Sequence, residues 1–312
     1  MATTYTTLTL SLIALAGGLG LLIAGGEMLV SGAIRLAARM DMKPLLIGLT
    51  VVAFGTSMPE FFVSLAANSK GHPDIMLGNV VGSNIANIGL ILALSALLRP
   101  LFVHYSRLRL ELWAMLGASC LFAGIALFGS FSRLTGLLFI ALLIWYTCFA
   151  YRHPASKAEP LEEESASYFS IILLCSLGLV TLALGSDLFI RGAVDVALYF
   201  GISDLIIGLT MAAVGTSLPE LASCISAIRR QHTDLLVGNI IGSNLFNLLM
   251  VLGGTALVYP FAIPADLLKR DLPVMIGFAL ILLISIITKH QVSRLAGFLL
   301  LAVYGIYMYS LI

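Results

Sequence analysis

Gly55-Thr56-Ser57-Met58-Pro59-Glu60 sets a proline and a carboxylate in the middle of an apolar run from Leu45 to Ala67. Gly215-Thr216-Ser217-Leu218-Pro219-Glu220 repeats the pattern 160 residues later, again inside an apolar run. An ionisable side chain at bilayer depth costs several kcal/mol and points to function. Pro59 cannot donate to the carbonyl of Gly55 and its ring crowds that group, so a helix here must kink or unwind. Irregular backbone of this kind survives in hydrocarbon only where it faces protein or a water-filled cavity. Thr56, Ser57 and Glu60 are spaced to share one helical face.

The surrounding composition sets the class. The chain has 312 residues, 60% hydrophobic and 11% charged, with a mean hydropathy of +1.05. That is an integral membrane protein rather than a soluble domain. A bilayer crossing takes about 20 apolar residues. Ten such spans are expected, at 8–34, 44–68, 75–97, 108–129, 133–151, 168–195, 203–227, 235–257, 267–288 and 294–311. The first has no basic residue before it and no obvious A-x-A cleavage pattern, and reads as a retained helix. The net charge of +1 offers no basic surface for phosphates, which sets nucleic acid aside as a partner. Cys120, Cys148, Cys175 and Cys224 stand singly in apolar helices and read as small core residues.

The repeat extends well beyond the acidic motif. Ile47-Gly48-Leu49-Thr50 returns as Ile207-Gly208-Leu209-Thr210, Asp74 as Asp234 and Pro100 as Pro260, all at a shift of 160. Ser132-Arg133-Leu134 returns at Ser293, shifted by 161. The chain is therefore expected to be two five-helix units, 1–152 and 168–312, joined by a Pro- and Glu-containing cytoplasmic linker at 153–167. Five crossings per unit is an odd number, so the second unit must be inverted, with a binding site at the repeat interface near the midplane. Loops on the side opposite the termini carry twelve Lys and Arg against five on the other, which places both termini outside the cytoplasm.

Other elements repeat too. Helix 1 is rich in glycine, which permits close packing or sliding. Glu27 and Asp187 form a second acidic pair, placed near helix ends and read as cavity-lining or paired with nearby arginine. Asn79, Ser83 and Asn87 recur every four residues in Gly78-Asn79-Val80-Val81-Gly82-Ser83-Asn84-Ile85-Ala86-Asn87, giving a polar stripe on one face. Asn239, Ser243 and Asn247 make the same stripe in the second unit. Helices 4, 5, 9 and 10 read as apolar scaffold.

The candidate ligands are all oxygens. They are the carboxylates of Glu60 and Glu220, the hydroxyls of Thr56, Ser57, Ser83, Thr216, Ser217 and Ser243, and the amides of Asn87 and Asn247. Carbonyls freed around Ala53 and Ala213 complete the set. Oxygen shells suit hard cations, and calcium takes six to eight such ligands. Zinc and copper favour His and Cys, which are absent from the set. Two buried carboxylates carry a desolvation cost of several kcal/mol each. One divalent or two or more monovalent cations would offset it, so a loaded site can cross while an empty one resists. That asymmetry makes an obligatory exchanger. Protons could also neutralise the pair, so acid is expected to inhibit. An intramembrane enzyme using the two carboxylates as acid and base has no nucleophile, oxyanion hole or metal-activated water to support it. No enzyme activity, cofactor or obligate protein partner is expected. A passive channel is the third alternative, to be excluded by saturable counterflow.

At these motifs the chain resembles the calcium/cation antiporter superfamily, and specifically the prokaryotic sodium/calcium exchangers. The resemblance rests on GTSxPE followed by GNxxGSNxxN in each half and covers nearly the whole length. It implies that Glu60 and Glu220 ligate calcium and sodium, with Ala53, Thr56, Ser57, Ser83, Ala213, Thr216, Ser217 and Ser243 at flanking sodium sites. It further implies sliding of helices 1 and 6, electrogenic calcium export driven by sodium, and a prokaryotic plasma (inner) membrane location. Calcium/proton exchange also occurs in the superfamily; the GSN sequences favour sodium. Asn247 departs from the archaeal prototype, which carries Asp there.

Overall fold

A computed structural model describes residues 4–5, 7–152, 166–202 and 214–311. The protein is an all-helical membrane protein. Its helices are α1 Leu8–Arg39, α2 Pro44–Ser69, α3 Pro73–Leu98, α4 Tyr105–Ala126, α5 Arg133–Arg152 and α6 Tyr168–Tyr199. The short helix α7 spans Leu218–Arg229. It is followed by α8 Thr233–Val258, α9 Leu267–Lys289 and α10 Arg294–Ser310. Among the described residues, eight of these are long and apolar enough to cross a membrane; α7 and α10 are shorter. Observed and expected boundaries agree to about a turn at most ends, with α1 and α6 running on to Arg39 and Tyr199. Residues 203–213 of the seventh expected span and 153–165 of the expected linker lie outside the described residues.

Local chemistry accounts for several helix starts. Ser132 and Ser293, matched in the repeat, accept from Thr135 N and Ala296 N at 3.3 and 3.2 Å, capping α5 and α10. Pro44 and Pro73 sit in first turns, where a missing N–H costs nothing.

Contacts are exchanged by the repeat shift. Leu101–Phe102 (β1) pairs with Gln291–Val292 (β4), and Ser130–Phe131 (β2) with Phe261–Ala262 (β3). These two antiparallel ladders were not legible in an all-helical pattern. Each ties a loop of one half to a non-equivalent loop of the other, since β3 is the repeat counterpart of β1 and β4 that of β2, and Phe131 stacks on Phe261 with centroids 5.2 Å apart. Likewise a Cβ on Gly136 would meet Gly253 O at 2.7 Å, and one on Gly297 would meet Ala93 O at 2.7 Å.

Helices α1 and α6 lie antiparallel, in backbone contact along their length. A Cβ at Gly25 would stand 2.8 Å from Leu182 N, at Gly178 2.7 Å from Leu29 N, and at Gly185 2.8 Å from Leu22 N. Only glycine permits this approach.

Three sequence expectations need correction. Glu27 and Asp187 stand well inside their 32-residue helices rather than near the ends. Cys175 and Cys224 are buried, but Cys120 and Cys148 face outward. In a membrane protein the outer face is as apolar as the core, so composition does not separate them. The scaffold helices are not apolar throughout. Glu111 in α4 is 8% exposed, and Asp271, its counterpart in α9, accepts from Tyr307 at 3.1 Å and pairs with Arg270 at 2.8 Å.

Candidate cation site

Helix α2 is interrupted twice before it reaches its carboxylate. A π-helical turn at Gly48–Val52 leads to a helical turn at Ala53–Thr56, and Ser57 then breaks the run before Met58–Ser69 resumes. Pro59 falls in the first turn of the resumed helix, as Pro219 does in α7. Glu60 and Glu220 thereby stand in the first turns of their helices, where free N–H groups and the helix dipole favour an anion. The break leaves the carbonyl of Gly55, not that of Ala53, without its usual donor. Ala53 O accepts from Ser57 N at 3.0 Å, so the expectation of a freed Ala53 carbonyl is corrected; Pro59 withholds an N–H four residues after Gly55. Gly215 O, in the matching place, accepts from Ser186 of α6 at 2.9 Å. Ala213 lies outside the described residues.

Helices α3 and α8 supply the facing wall. Gly238 and Gly242 let α8 press on α2: a Cβ on Gly242 would lie 2.6 Å from Leu49 O and from the Ala53 methyl. This brings Asn239 and Ser243 to Thr56. Both α3 and α8 enter π-helical turns at the stripe asparagines, Asn87–Leu92 and Asn247–Leu252. Such turns recur at functional sites and widen the helix where side chains must converge.

The cross-half contacts come in matched pairs. Thr56 Oγ1 lies 3.3 Å from Asn239 Oδ1 and 3.4 Å from Ser243 Oγ. Thr216 Oγ1 lies 3.1 Å from Asn79 Oδ1 and 3.4 Å from Ser83 Oγ. Glu60 and Glu220 are fully buried and close enough for their charges to interact. Thr216 stands beside Glu60, and Thr56 and Ser243 beside Glu220. Even so, all four carboxylate oxygens, with the hydroxyls of Ser57 and Ser217, make no hydrogen bond of good geometry to the described residues.

Asn87 and Asn247 are also buried. Asn87 donates to Asn244 Oδ1 at 3.0 Å, whereas both polar atoms of the Asn247 side chain are unpartnered among the described residues. The expected residues that are described thus gather where α2, α3, α7 and α8 meet. Asn79, Asn239 and Asn244 join them, although the expected ligand set omits them. The four-residue stripe already contained Asn79 and Asn239 and was the signal available.

The second acidic pair, Glu27 and Asp187, does not enter this cluster. Glu27 pairs with Arg229 at 3.3 Å and Arg230 at 2.9 Å, and Asp187 with Arg191 at 2.9 Å. Pairing with nearby arginine is what the sequence suggested.

Against known proteins, the model of the family described as sodium/calcium exchanger protein matches twice, at residues 10–152 and 170–312. The chain belongs to the sodium/calcium exchanger family. Members of this family are cation antiporters. The two matches cover the two halves of the chain separately. The chain is 37% identical to the putative antiporter CaxA of Alkalimonas amylolytica, over 94% of this chain and 96% of that protein. It is 32% identical to the sodium/calcium exchanger MaX1 of Methanosarcina acetivorans, over 95% and 97%. The inner membrane protein YrbG of Escherichia coli is 38% identical over 86% and 85%. The structure resembles the sodium-calcium exchanger NCX_Mj soaked without sodium or calcium, with a TM-score of 0.84, 33% identity and coverage of 98% and 100%.

Proposed function

We propose that this chain exchanges sodium for calcium across a prokaryotic inner membrane, by alternating access of one site shared between two inverted five-helix repeats. In this reading ten helices cross the bilayer, residues 1–152 and 168–312 form the repeats, 153–167 is the cytoplasmic linker, and both termini are extracytoplasmic. The antiparallel packing of α1 against α6, which are the same helix in the two repeats, supports the inversion.

The observation that carries the function is the pair of fully buried carboxylates, one from each half, whose oxygens lack protein partners of good geometry among the described residues. Two such charges are tolerable only with a compensating cation between them. Glu60 and Glu220 hold calcium or sodium. Thr56, Ser57, Ser83, Thr216, Ser217 and Ser243, with the second lone pair of the Ala53 carbonyl and the backbone oxygen of Ala213, form flanking sodium sites. Asn87 and Asn247 close the centre. The ligands are neutral apart from the two acids, so one calcium balances the charge and sodium must enter in plural to replace it. The calcium-bound and sodium-bound forms can both turn over, and the bare form is held back by its own charge.

The test is calcium-45 uptake into proteoliposomes holding the purified protein, driven in turn by outward sodium, potassium and proton gradients. Sodium alone should drive uptake, and inward negative or positive potentials should change its rate. Uptake driven by a pH gradient without sodium would assign the protein to calcium/proton exchange. Calcium movement indifferent to every gradient would refute exchange altogether.

A further inference from the structure

The oxygens around Thr56 stand further apart than hydrogen bonding prefers. Thr56 Oγ1, Asn239 Oδ1 and Ser243 Oγ form a triangle with sides of 3.3, 3.4 and 3.4 Å. A good O–H···O bond is about 2.7–2.8 Å long. Oxygens held about 2.4 Å from a hard cation, at right angles around it, stand about 3.4 Å from one another. The triangle has the dimensions of one face of a coordination shell. Ala53 O, 3.5 Å from Thr56 Oγ1, extends it. In the other half Thr216, Asn79 and Ser83 repeat the trio, with the Thr216 contacts at 3.1 and 3.4 Å.

The two asparagines are locked in the orientation this requires. Asn239 Nδ2 donates to Ser223 Oγ at 2.9 Å, with Cys224 Sγ at 3.6 Å. Asn79 Nδ2 donates to Ser64 Oγ at 2.9 Å and to Glu60 O at 3.2 Å. With each amide nitrogen engaged behind, each amide oxygen must face the hydroxyls. Asn239 and Asn79 are 1% and 4% exposed, so neither swings to solvent.

We propose that the side-chain carbonyls of Asn79 and Asn239 are themselves cation ligands, each completing a neutral trio that takes a monovalent hard cation beside the central carboxylates. The proposal rests on the exchanger reading and adds two residues to its sodium sites. Each trio draws its threonine from one half and its asparagine and serine from the other. A cation bound there draws the halves together. A neutral trio flanked by a single carboxylate matches one positive charge better than two.

The test reads sodium binding without any gradient. The full chain in detergent is melted while sodium chloride is titrated against choline chloride at constant ionic strength, and calcium is titrated in parallel. Asn79→Ala and Asn239→Ala should each raise the sodium half-saturation at least fivefold while moving that for calcium less. Asn79→Asp and Asn239→Asp keep the oxygen, and should hold sodium as tightly as the parent or tighter. A change below fivefold in both alanine variants would overturn the proposal. So would an equal loss for calcium, or aspartate variants as weak as the alanine ones, which would make the amide nitrogen the working group. Asn79→Ser and Asn239→Ser carry the same test if the alanine forms do not fold. A parent protein that binds sodium in this way yet exchanges no calcium would defeat the exchanger reading and leave these ligands standing.

Discussion

Glu27 in the first half reaches across to Arg229 and Arg230 at the end of α7, at 3.3 and 2.9 Å. Asp187, its counterpart in the second half, instead pairs at 2.9 Å with Arg191 one turn along its own helix. The matching positions, Ser69 at the end of α2 and Lys70 just beyond it, make no ion pair with Asp187 among the described residues. Around the carboxylates the halves behave in the opposite way. Thr56 meets Asn239 and Ser243 as Thr216 meets Asn79 and Ser83. Two-fold matching holds around the buried carboxylates and lapses at Glu27 and Asp187, well inside α1 and α6. In the proposed reading the centre is a joint site, and Glu27 and Asp187 mark where the halves differ.

The largest effect should come from the joint site. Glu60→Gln and Glu220→Gln should each reduce sodium-dependent calcium flux about 100-fold or more, because each leaves a buried carboxylate facing a lost partner in cation binding. Equal losses sharpen the two-fold picture; one variant keeping a tenth of the flux would break it. Next, Gly25→Ala and Gly185→Ala should each cut flux about tenfold by forcing α1 and α6 apart. Gly20→Ala, with nothing within 4 Å of its Cβ, should leave flux unchanged. The asparagines should then separate by stability. Asn87→Ala strands the side-chain carbonyl of Asn244 and should cost about 1–2 kcal/mol in thermal unfolding, while Asn247→Ala, which breaks no hydrogen bond among the described residues, should cost about 0.5 kcal/mol or less. Smallest of all, Glu27→Gln should lower the melting point slightly by releasing its two arginines, and Asp187→Asn should not change it measurably.

Much of this was legible in the residues. The duplicated proline and glutamate sit in apolar sequence where few explanations but a site are available, and the 160-residue register located their partners. Helix existence followed from hydropathy alone. The π-helical turns were not visible, because a run such as Asn87–Leu92 has the composition of any apolar helix and its geometry is set by what packs on it. The short strands at Leu101–Phe102 and Gln291–Val292 depend on two loops meeting that are far apart in sequence. Proline signalled the break in α2 and, four residues back, the deprived carbonyl of Gly55; that Ala53 O keeps its donor, Ser57 N, was visible only in the structure. Glu111 and Asp271 do not stand out in the sequence, because hydropathy averages hide one acid in an apolar helix.

The central claim is that one calcium is held jointly by an acid from each half. Equilibrium binding of calcium-45 to the purified protein in detergent tests it most directly, with the parent chain beside Glu60→Gln and Glu220→Gln. The expected result is about one sodium-displaceable calcium per parent chain and none on either variant at the same concentration. Two calcium ions per parent chain, with one retained by each single variant, would mean two independent sites and would contradict a shared one.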